Sequence, residues 1–145
     1  MNEPAIRTAW LLGLAGLLPF AGAALLSLAA PAWQEWALLA LRAYGAVILA
    51  FLGAVHWGFA LQPEAGQQGA GPARLMLGIL PALIGWVALL MPVGLGLGLL
   101  AFALLATAAA EQWAAAQALV PRNYMMLRWI LSGGASACLF AALLG

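Results

Sequence analysis

The chain has 145 residues, of which 67% are hydrophobic and only 6% charged, with a net charge of +1 and a mean hydropathy of +1.06. A soluble domain carries about 25% charged residues, so this composition excludes a water-facing globule and points to lipid as the solvent. No basic tract suggests nucleic acid, and a single cysteine, Cys138, excludes an intramolecular disulfide or a cysteine-rich metal site.

Inside hydrocarbon every backbone N–H and C=O needs an internal partner, which leaves helices or a closed β-barrel. A barrel shows alternating apolar and polar residues over strands of about ten. Here the apolar runs are continuous and rich in Ala and Leu, both strong helix formers. The expectation is an all-α integral membrane protein, a single bundle of five transmembrane helices occupying residues 1–145.

A helix needs about 20 residues to cross roughly 30 Å of hydrocarbon. The first span is expected at about 9–29, closed by Pro31 and the polar stretch through Glu35. Its Arg7 and Ala29–Ala30 end resemble a signal peptide, but Pro31 suits a cleavage site poorly, and the segment reads as a retained span. The second is expected at about 36–61, long enough to tilt. Gln62 to Arg74 is a polar loop rich in Gly, Gln and Pro. The third and fourth spans, about 75–91 and 93–113, are divided at Pro92. The continuous apolar run from Leu75 to Ala110 is too long for one crossing, and Pro favours a break. One kinked, tilted helix is the alternative and gives four spans. Residues 114–120 continue along the interface, Pro121, Arg122 and Asn123 break the helix, and the fifth span is expected at about 124–144.

Charge placement supports five. With that count Arg7, Arg74, Arg122 and Arg128 share one side, whereas four spans would divide them. The positive-inside rule then predicts a cytoplasmic N-terminus and an outside C-terminus. Trp10, Trp57, Trp113 and Trp129 fall near the inner interface and Trp33 and Trp36 near the outer one, the depth an indole prefers. Trp86 either anchors or packs inside.

Helix packing in lipid relies on small residues. Gly13 and Gly16, Gly45 and Gly53, Gly78 and Gly85, and Gly133, Gly134 and Ser136 provide close-approach patches. Pro19 and Pro81 fall inside the first and third spans and kink them. The run Gly94, Gly96, Gly98 is not a dinucleotide fingerprint, since no βαβ unit surrounds it.

The second span carries the candidate ligand-binding residues: Arg42, Tyr44, His56 and Trp57. Arg42, Gly45, Leu49, Gly53 and His56 fall on one helical stripe. Arg42 and His56 are about 21 Å apart along the axis, too far to touch. Arg42 either snorkels outward near Glu35 or faces the interior as an anion or headgroup contact. A lone His builds no metal site, and His56 reads first as an interfacial side chain bonded to a loop. Its titration range would permit a proton role, but no partner is evident. Glu111 is expected to pair with an arginine of the same end, such as Arg74 or Arg122. Cys138 is expected to be buried and inert. No catalytic set, metal site or cofactor is predicted.

The run from Tyr44 to Gly58, with its Tyr44-Gly45, Phe51-Leu52-Gly53 and His56-Trp57-Gly58 elements, resembles a known family. Leu14 to Phe20, Leu80 to Trp86, Pro121 to Tyr124 and Leu127-Arg128 extend the likeness. The family is the transmembrane protein 69-like group, also described as domain of unknown function 3429. The resemblance implies a small multi-span protein of the bacterial inner membrane, with mitochondrial relatives and no assigned activity. It adds weight to Tyr44, Gly53, His56, Trp57, Pro19 and Pro81.

Three functions remain open on this reading. The first is an accessory, assembly or interaction component whose partners are the bilayer, further copies of itself or other membrane proteins. The second is an oligomeric transporter of a small solute or lipid. The third is a quinone- or lipid-binding membrane enzyme.

Overall fold

The computed structural model describes the backbone of residues 3–61, 71–116 and 122–145, and their side chains except 3–5, 59, 71 and 122–124. The protein is a bundle of five helices: α1 (Glu3–Ala29), α2 (Gln34–Leu61), α3 (Gly71–Leu90), α4 (Val93–Ala116) and α5 (Arg122–Ala142), with a 3-10 turn at Pro31–Trp33 joining the first two. All five are long and apolar enough to cross a membrane. The chain is a multi-pass membrane protein.

Four of the helices begin before the expected spans, α4 ends three residues later than expected, and α3 and α5 end one and two residues earlier. Residues 71–74, expected in the polar loop, form the first turn of α3, and Arg122, expected in a break, already opens α5. The remainder of that loop, the end of the helix tail after Ala116, and Pro121 lie outside the described residues.

Pro92 divides α3 from α4, so the long apolar run is a hairpin and not one kinked helix. Pro92 has no N–H to continue α3, yet its carbonyl accepts from Gly96 N–H at 2.9 Å and starts α4. Pro19 and Pro81, by contrast, sit within unbroken helices.

Consecutive helices run antiparallel. Gly16 of α1 meets Tyr44 of α2, and a methyl added at Gly85 of α3 would lie 3.1 Å from the Ala46 carbonyl of α2. Ser136 of α5 donates to the Ala101 carbonyl of α4 at 2.9 Å. α1 and α5 run parallel, with Leu17 against Gly134 and Leu28 against Gly145.

The packing follows the logic of lipid rather than water. Large side chains such as Leu11, Leu12, Leu18, Phe102 and Trp86 face outward, because hydrocarbon solvates them as well as a protein core does. Small residues fill the helix crossings. Gly53 of α2 and Gly78 of α3 bring their backbones into direct contact, and a side chain on either would strike the other. α2 packs against all four other helices, and α4 buries Leu97, Leu100, Ala101, Leu104 and Ala108. α4 holds α2, α3 and α5 around it, while α1 docks on α2 and α5.

A buried polar cluster beside an intramembrane cavity

A small set of polar side chains is buried in one end of this apolar bundle. Glu111 lies near the end of α4, His56 near the end of α2 and Arg128 near the start of α5, and the antiparallel order brings these three ends together. Each is no more than 3% exposed. Arg128 Nε donates to Glu111 Oε2 at 2.5 Å. His56 Nε2 lies 3.0 Å from Glu111 Oε1, so both carboxylate oxygens are engaged. Arg128 Nη1 donates to Ser132 Oγ at 2.5 Å. Ser132 follows Arg128 by four residues, which puts its hydroxyl on the same face of α5.

This arrangement answers the cost of burying charge. An unpaired ion within a span costs at least about 2.5 kcal/mol, whereas an ion pair with its remaining lone pairs hydrogen-bonded recovers much of that. One nitrogen is left over. Nη2 of Arg128 is buried and has no hydrogen-bond partner among the described residues.

Arg128 and Ser132, with Tyr44 of α2, also form the polar part of the lining of a cavity of about 450 Å³. Its other walls are apolar: Gly13, Gly16 and Leu17 of α1, with Ile48 and Leu52 of α2. The size and the mostly apolar lining with few polar groups are those of a small-molecule site. Along α1 it runs from Ala9 to Phe20, a distance of about 16 Å at the helical rise. Leu12 of α1 and Phe51 of α2, which also line it, are 69% and 65% exposed, so the cavity reaches the bundle surface between these helices. Glycine keeps it open on the α1 side: a methyl added at Gly16 would find only the Tyr44 hydroxyl, 3.8 Å away.

The residues singled out in the second span part company in space. His56 is not an interfacial side chain bonded to a loop; it is buried and bonded to Glu111. Tyr44 lines the cavity and donates to the Gly16 carbonyl at 2.9 Å, which ties α2 to α1 three residues before Pro19. Arg42 lies at the other end of α2. It does not line the cavity: its Nη1 donates to the Met91 carbonyl at 2.5 Å, at the hairpin between α3 and α4. Trp57 is 43% exposed, and its indole covers Gly78 on the α2–α3 seam, away from the cavity. Gly45 and Gly53 are buried at crossings with α4 and α3.

Glu111 pairs with Arg128, a residue that charge placement had assigned only to the inner boundary. The Arg122 side chain, one expected partner, lies outside the described residues; Arg74, the other, is buried at the start of α3. The spacing of Arg128 and Ser132 was the one local signal of the cluster. Of the tryptophans, Trp86 faces outward and does not pack inside. Among the described residues, no group of three or more His, Cys, Asp or Glu side chains could hold a metal ion.

A family model described as Protein of unknown function (DUF3429) matches residues 5–144. The chain belongs to that family. The family likeness thus spans the whole bundle, including His56, Glu111 and Arg128. Two relatives share the name Transmembrane protein 69. The one from Xenopus tropicalis is 44% identical over 88 residues, covering 61% of this chain and 34% of the relative. The one from Mus musculus is 38% identical over 77 residues, covering 53% of this chain and 31% of the relative. The chain therefore matches only about a third of the length of these curated relatives. No solved structure matches it.

Proposed function

We propose that the protein is an accessory component of the membrane that holds one lipid-soluble molecule inside its bundle. The observation carrying this reading is the cavity at Arg128. It is apolar over most of its wall and open toward lipid between α1 and α2, and its lining includes Arg128, whose guanidinium has one buried nitrogen without a partner among the described residues. An amphiphile fits that pattern, with an accepting head at Arg128 and an apolar body along Leu17 and Leu52. The reading draws on the quinone- or lipid-binding alternative for its ligand, and on the accessory alternative for its role. Transport through the Arg42–His56 stripe gains no support, since Arg42 is engaged at the hairpin, remote from the cavity.

The test is native mass spectrometry of the protein purified in mild detergent. A bound lipid-soluble molecule is expected on the wild type and is expected to be lost from Gly16→Leu and from Leu131→Trp, which fill the cavity from two helices. Gly133→Leu, on an open face, should retain it. Equal retention by all three variants would overturn the reading.

We further infer that the protein resides in the bacterial inner membrane with its N-terminus in the cytoplasm. The arginines at Arg7, Arg74 and Arg128 belong to helix ends on one side of the bundle, and the positive-inside rule assigns that side to the cytoplasm. Alkaline phosphatase fused after Gly145 should then be active outside the cytoplasm. An inactive fusion with a fluorescent C-terminal green fluorescent protein counterpart would reverse the orientation.

A further inference from the structure

We infer that the cavity selects a molecule with an uncharged, hydrogen-bond-accepting head, a carbonyl above all, over one with a carboxylate or phosphate head. The inference rests on the binding role proposed above and concerns which chemistry the site takes.

The charge of Arg128 is already countered. Its Nε faces the Glu111 carboxylate at 2.5 Å, so a ligand arriving at the cavity meets a guanidinium–carboxylate pair and not a bare cation. An anionic head placed beside Arg128 would add a second negative charge close to Glu111, with both groups buried and little water to screen them. Among the described residues His56 also faces Glu111, at Oε1, and it does not line the cavity.

The donor count points the same way. Nε serves Glu111 and Nη1 serves Ser132, which leaves Nη2 for a ligand. A carboxylate or phosphate is bound best by two parallel guanidinium donors, and Nε, one half of the Nε–Nη2 fork, already serves Glu111. The Ser132 hydroxyl accepts from Nη1 and so keeps its own proton to donate. Nη2, on a guanidinium whose charge Glu111 already counters, and the Ser132 hydroxyl together offer two donors, which suits the single oxygen of a quinone or an ester.

Three probes of similar chain length separate the possibilities: a decyl-substituted benzoquinone, monodecanoylglycerol and decanoate, each titrated into the detergent-solubilised full chain by calorimetry. The expected result is that at least one neutral probe binds ten-fold or more tighter than decanoate. Which neutral probe wins tells a quinone source from a glyceride source. Glu111→Gln removes the countercharge and should narrow or invert the preference by ten-fold or more in favour of decanoate. Ser132→Ala, which leaves the ion pair in place, should weaken the preferred neutral probe several-fold without improving decanoate. Decanoate binding to the wild type as tightly as the neutral probes would overturn the inference while leaving the binding role standing. Binding of none of the three would overturn both.

Discussion

Arg128 Nε and Glu111 Oε2 lie 2.5 Å apart across the α4–α5 interface, with both side chains almost wholly excluded from the surface. The pair ties together the ends of α4 and α5 beside the Trp129 Nε1–Gln112 Oε1 hydrogen bond of 3.2 Å, and Arg128 also lines the cavity. Its energetic character is that of a buried pair: costly to break on one side, far less so to remove whole.

Glu111→Leu alone should therefore destabilise the bundle by about 3–5 kcal/mol, since Arg128 is left without its countercharge. The double variant Glu111→Leu with Arg128→Leu should be less destabilised than Glu111→Leu alone. Reversible denaturant unfolding in detergent measures both. A double variant whose loss equals the sum of the two single losses would show that the pair is not energetically coupled.

Tyr44→Phe removes the hydrogen bond to the Gly16 carbonyl and Ser136→Ala the one to the Ala101 carbonyl. Interhelical hydrogen bonds in membrane proteins average about 0.6 kcal/mol and reach about 1.7. Each variant is expected to lose stability within that range in the same unfolding measurement, and to keep the five-helix circular dichroism signal.

The α2–α3 seam predicts a sharp contrast between glycines. A methyl at Gly53 would collide with the Gly78 backbone, while one at Gly58 on the same helix meets nothing within 4 Å. Gly53→Ala should cost about 1–3 kcal/mol through forced backbone separation, and Gly58→Ala should stay within about 0.5 kcal/mol of wild type. Equal stabilities of the two variants would remove the close approach from the account of this fold.

Arg42→Ala frees the Met91 carbonyl at the hairpin. A hydrogen bond to a charged donor contributes about 1.5–3 kcal/mol, and the loss should be local. Amide exchange at Val93 to Gly96 is expected to quicken, with the α5 amides around Ser132 unchanged. Uniform quickening across the bundle would instead make Arg42 a determinant of global stability.

The sequence alone was enough to establish the solvent, the element type and the number of crossings. Those follow from local and additive properties: hydropathy summed over about twenty residues, the missing N–H of Pro92, and arginines falling on one side of a counted chain. The α2 stripe was legible as one face for the same reason, because Gly45, Leu49, Gly53 and His56 repeat at helical spacing; that this face is buried came from the structure. Only the tertiary structure decided what these residues face. His56 meets Glu111 across 55 residues of chain and Arg128 meets Glu111 across 17, and no periodicity within one helix encodes which helix becomes its neighbour. The cavity is likewise a property of four helices at once: α1 supplies glycines, α2 the tyrosine, α4 Leu104 and α5 Arg128 and Ser132. In lipid, where apolar side chains are equally content facing out or in, composition cannot say which way a helix turns; the close approach of small residues and the need to pair buried charge decide it.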